Sequence, residues 1–149
     1  MTDAAAAHRR EFDFWVGSWE VTDPGGAIVG TNLIEPVIDG HALREQWTGR
    51  SGIRGTSYSA YDASRDVWHQ TWIDTSGSLL LLEGGLRYGV MMLEGLETDP
   101  ATSTTTRHRI TWSVIDGDPA GVRQHWESSV DGGVSWTTAF DGRYRRTGG

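Results

Sequence analysis

The run Trp68-His69-Gln70-Thr71-Trp72-Ile73-Asp74 holds four residues that could meet a ligand together. Side chains along a strand alternate with a period of two, so Trp68, Gln70, Trp72 and Asp74 share one face. An aromatic face that also carries an amide and a carboxylate packs poorly into a dry core. It suits a cavity wall, where rings cover apolar surface and a few polar groups fix orientation. Glu45 with Trp47, and Gln124 with Trp126, repeat the pattern. If the turns at Ser51-Gly52 and at Asp62 to Arg65 set the most compact registers, Glu45, Tyr58 and Gln70 come level across three strands. The candidate ligand-binding set is therefore Glu45, Trp47, Tyr58, Gln70, Trp72, Gln124 and Trp126.

Within that set, Glu45 is the group suited to proton transfer. Burial beside indoles would raise its pKa toward neutrality, where a general acid or base works best. Arg123, His125 and Glu127 lie on the opposite face from Gln124 and Trp126 and read as solvated surface. Were that face turned inward, His125 and Glu127 would become the acid–base pair instead. The chain has no nucleophile elbow, phosphate loop or paired-carboxylate motif. Its five histidines (His8, His41, His69, His108, His125) lack metal-ligand spacing, and no haem-binding motif surrounds any of them. No catalytic residue, metal or cofactor is assigned on this basis.

Composition narrows the class further. The chain has no cysteine, which removes thiolate nucleophiles, disulfides and zinc–cysteine sites. Its formal charge is -7, and the one basic cluster, Arg143 to Arg146, reads as a strand end, so nucleic acid is not an expected partner. No apolar stretch is longer than the strand-sized Leu79 to Leu82, so no membrane helix is expected. Residues 1–15 do not have the make-up of a secretory signal. A bacterial cytosolic location follows as the default expectation. The expected partner is a small hydrophobic molecule; a homodimer is compatible with the sequence, which leaves the oligomeric state open.

The elements that must position these side chains are almost all strands. Ala4 to Phe14 reads as a short helix, with Thr2 or Asp3 as its cap. Strands are predicted at about 18–23, 27–37, 41–49, 53–62, 66–74, 78–84, 87–97, 106–116, 121–130 and 135–146. Turn chemistry separates most of them: Asp23-Pro24-Gly25-Gly26, Asp39-Gly40, Ser76-Gly77, Asp116-Gly117-Asp118-Pro119 and Asp131-Gly132-Gly133. Gly84-Gly85 reads as another turn. Strands joined this way pair antiparallel with their neighbours, and closing the sheet removes two long edges. One domain over residues 1–149 is expected, an all-β, up-and-down barrel of about ten strands with an interior pocket.

Phe12-Asp13-Phe14-Trp15-Val16-Gly17-Ser18-Trp19 resembles the opening of a bacterial family of lipocalin-like proteins of unknown function. Gly17-x-Trp19 is similar to the calycin signature, in which the Trp plugs the base of the barrel. The likeness continues through Leu43 to Gly49, Tyr61-Asp62, Trp68 to Asp74, Ile110 to Trp112 and Phe140 to Tyr144. It implies a calycin-type barrel and little about activity. Ser129 to Trp136 matches the Asp-box pattern of sialidase propellers; in a single copy it reads as a structural hairpin. Two readings of function lead, ahead of a blander third, a stress- or regulation-associated interaction domain with a water-filled barrel. One is a barrel that binds a largely apolar or aromatic molecule; the other is a cofactor-independent cyclase or isomerase acting on a hydrophobic intermediate.

Overall fold

Buried and exposed side chains alternate along the β segments, and the segments roll up until the first meets the last. The computed structural model describes residues 3–148; Thr2, one of the two expected helix caps, lies outside them, as does the side chain of Asp3. The ten strands are β1 (Gly17–Thr22), β2 (Ile28–Val37), β3 (Ala42–Gly49), β4 (Arg54–Asp62), β5 (Val67–Asp74), β6 (Leu79–Arg87), β7 (Val90–Thr98), β8 (Thr105–Ile115), β9 (Gly121–Ser129) and β10 (Thr137–Arg146). Each pairs antiparallel with its sequence neighbours, and β1 pairs with β10 to close the barrel. Closure leaves no strand edge unpaired, which is the physical reason to prefer it over an open sheet.

The expected turn at Gly84-Gly85 is not one. Both glycines stay in the ladder, Gly84 opposite Trp68 and Leu93, and Gly85 opposite Met92. A Cβ on Gly84 would sit 2.0 Å from the Met92 carbonyl oxygen, so the glycine marks close backbone approach rather than a bend. The chain reverses instead at Tyr88 and Gly89, both at positive φ as a two-residue hairpin requires.

The expected helix is also shorter. It forms α1 (Asp3–His8), followed by turns and a 3-10 turn over Asp13–Trp15. Residues three apart eclipse in 3-10 geometry. Phe12 and Trp15 accordingly stack, ring centroids 4.9 Å apart, and both insert into the barrel end. Phe12 meets Trp68 and Trp112 edge-on, at 5.7 and 5.0 Å. With Trp19, Val21, Leu82, Met91, Leu93 and Val122 they form a solid apolar plug. Trp19 closes the base: its indole N–H donates to Trp15 O at 2.9 Å, and the Arg146 guanidinium covers its ring at 4.2 Å while bonding Val16 O at 3.0 Å.

On the outer wall, Arg123 pairs with Asp141 at 3.0 Å and Arg109 with Glu127 at 3.2 Å, so this side of β9 faces solvent as expected. No helix among the described residues is long and apolar enough to cross a membrane.

Candidate functional site

The plug fills only one end of the barrel. At the other end lies a cavity of about 610 Å³, open toward the β3–β4 and β5–β6 connections. The face-sharing run on β5 therefore splits between two roles. Trp68 packs into the plug, while Gln70, Trp72 and Asp74 line the cavity. Trp47 and Glu45 from β3, Trp126 and Gln124 from β9, and Phe140 and Tyr144 from β10 complete the main wall.

The rings lie flat against the barrel because glycines make room for them. A Cβ on Gly55 would come within 2.2 Å of the Trp72 ring, one on Gly30 within 2.6 Å of Trp47, and one on Gly142 within 2.6 Å of Phe140. Each glycine sits on a strand adjacent to its ring, except Gly142, which shares β10 with Phe140. Trp47 and Phe140 meet edge to face at 5.7 Å. Trp72 is fixed by its indole N–H donating to Asp74 Oδ2 at 3.0 Å, and Trp126 by the same group donating to His108 Nδ1 at 3.0 Å. That bond leaves His108 Nε2 as the protonated nitrogen, 3.2 Å from Glu97 Oε1.

Where cavity meets plug, a polar floor forms. Glu45, 4% exposed, accepts from Asn32 Nδ2 at 2.7 Å and from the Ser57 hydroxyl at 2.7 Å. Asn32 Nδ2 also donates to the Tyr144 hydroxyl at 2.9 Å, and that hydroxyl donates to Gln124 Oε1 at 2.6 Å. Gln70 donates to the Ser59 hydroxyl at 2.9 Å. Burial pushes the Glu45 carboxyl up to about 6, against the pull of the Asn32 and Ser57 bonds. Burial, then the nearby Glu45 charge, push the Tyr144 phenol well above its ordinary value, so it stays protonated. Burial also works to raise Asp74, but hydrogen bonds from Ser76 and Trp72 hold it below the usual carboxylate range.

Six of the seven expected residues thus line one cavity: Glu45, Trp47, Gln70, Trp72, Gln124 and Trp126. Tyr58 does not. It pairs with Arg44 and Thr71 and lies on the outer wall, half exposed. Glu45 is level with Ser57 instead, because Arg50 to Ile53 form a longer β3–β4 connection, closed by Gly49 N–H donating to Ile53 O at 2.8 Å. A one-residue slip moves a side chain to the other face. Outside, Tyr58 joins an exposed apolar strip with Ile73, Leu79, Leu81 and Leu96.

Asn32, Ser57, Ser59, Phe140 and Tyr144 are the site residues that the sequence reading missed. The signal for two of them is present: Phe140, Gly142 and Tyr144 keep one strand parity, which carries Tyr144 inward between outward arginines. The Asp-box segment forms the connection between β9 and β10. Asp131 accepts from Ser135 N–H at 2.9 Å and from Ser129 Oγ at 2.7 Å, Gly132 and Gly133 take positive φ, and Trp136 lies under Arg109 at 3.9 Å. In comparisons with known proteins, no family model matches this chain and no curated protein matches it.

Proposed function

We propose that this chain is an intracellular, lipocalin-like binding protein that takes a small, largely apolar or aromatic molecule into the open half of its barrel. One observation carries the reading: a 610 Å³ cavity walled by Trp47, Trp72, Trp126 and Phe140 ends on a buried polar floor of Glu45, Gln70 and Gln124. That size and make-up suit a drug-sized molecule with one polar end. Trp47, Trp72 and Phe140 seated over glycines, and Trp72 and Trp126 tied by their indole N–H groups, form a wall set before the ligand arrives, which lowers the ordering cost of binding.

Titration of the protein with a panel of fused-ring and alicyclic compounds, followed by tryptophan emission, tests it. Saturable quenching is expected, and Trp72→Ala should weaken it about tenfold, since one buried ring contributes on the order of 1–2 kcal/mol. Emission unchanged across the panel would refute the reading.

The Glu45 carboxyl, buried and brought to about 6, favours a second reading. In it, Glu45 moves a proton on a bound hydrophobic intermediate during cyclisation or isomerisation. Glu45→Gln would then abolish turnover while binding persists; an unchanged rate would remove Glu45 from the mechanism.

A further inference from the structure

The charge inside the cavity is one-sided. Glu45 is almost fully buried, yet among the described residues its hydrogen-bond partners are a neutral amide and a neutral hydroxyl. A carboxylate taken from water into such a place ordinarily has a cation beside it. The wall supplies none at that depth. Its one cationic residue, Arg50, lies exposed in the β3–β4 connection at the mouth. Asp74 adds a second acid to the lining, held by Trp72 and Ser76. Facing Glu45 from β2, β4 and β10 are Asn32, Ser57 and the protonated Tyr144.

The surrounding surface answers the same need. Trp47, Trp72 and Phe140, lying over glycines of the wall, offer the negative faces of their π-systems, which attract cations, indole most strongly, and Trp126 adds a fourth ring to the lining. The two glutamines of the floor do not fix the sign of the ligand's charge. Gln70 can turn either end toward the cavity, because the Ser59 hydroxyl donates as readily as it accepts. Gln124 has its oxygen engaged by Tyr144, and its Nε2 donates to no described residue, so it is free for a ligand oxygen. Three hydrogen bonds in series, Glu45–Asn32–Tyr144–Gln124, hold that donor near the carboxylate.

We propose that the occupant is an organic cation: an aromatic or polycyclic amine whose ammonium donates to Glu45, whose body lies among the four rings, and whose neighbouring oxygen meets Gln124. The inference rests on the binding reading above and adds the ligand's charge. The ammonium would supply the countercharge that the protein withholds, so the carboxylate selects for it and against an acid of the same shape.

Calorimetric titration with three probes on one ring body, naphthylmethylamine, naphthylmethanol and naphthoic acid, separates the two ideas. At about pH 7.5 the amine should bind about tenfold tighter than the alcohol, and the acid more weakly than both, as expected for a charge-assisted hydrogen bond. Lowering the pH to about 5 should erase the amine's advantage, because Glu45 takes up a proton while the amine stays charged; the alcohol should bind alike at both pH values. Glu45→Gln should bring amine and alcohol within about threefold of each other. The wild-type pH series gives the same answer if that variant folds poorly. Alcohol or acid binding as well as the amine would overturn the cation inference and leave the binding reading standing. A cavity that takes none of the three would overturn both.

Discussion

Replacing Glu45 by glutamine should make the protein more stable at neutral and alkaline pH. The carboxyl titrates at about 6 in the fold against 4.5 in the unfolded chain, a gap worth about 2 kcal/mol. The sign follows from proton counts. Between those pH values the folded chain holds more protons, so stability falls as pH rises through the window and levels off above it. Glutamine has no charge to desolvate and keeps both contacts: its oxygen accepts from Asn32, and its amide donates to the Ser57 hydroxyl, which reverses. At about pH 8 the variant should gain up to about 2 kcal/mol, or roughly 4–8 °C in Tm for a chain of this size. At about pH 4 the two proteins should agree within about 0.5 kcal/mol. Urea titrations of both proteins at several pH values measure this, and the difference between them cancels every other carboxylate. A difference that stays flat with pH would refute the claim that burial of Glu45 is uncompensated. A carboxylate retained against stability is what a site under functional constraint looks like.

Tyr144→Phe removes the hydroxyl between Asn32 and Gln124 and should lower stability by about 1–3 kcal/mol, read in the same urea titrations. Gly55→Val places a side chain where the Trp72 ring lies, so it should cost about 1–3 kcal/mol and shift Trp72 emission as the ring is forced into the cavity. Arg146→Ala uncovers Trp19 and strands Val16 O; a loss of about 1 kcal/mol is expected, with little change in affinity for a cavity ligand, since both lie at the plugged end.

The barrel and most of the cavity wall are legible in the chain itself because strand periodicity is a local property. Once Glu45 is inward on its strand, so is Trp47; the same holds for Gln70 with Trp72 and Gln124 with Trp126. Turn chemistry marks most hairpins, and ten antiparallel segments leave closure as the way to hide the edges. Register belongs to pairs of strands, and local patterns do not contain it. The longer connection at Arg50 to Ile53 shifted one hairpin by a residue, put Tyr58 in solvent and brought Ser57 to Glu45. Depth along the barrel is likewise a tertiary matter: Trp68 and Trp72 share a face, yet one is plug and the other wall, because Phe12 and Trp15 fill only the nearer end. The Asn32–Tyr144 link joins residues 112 positions apart, a contact that exists only because β1 closes onto β10.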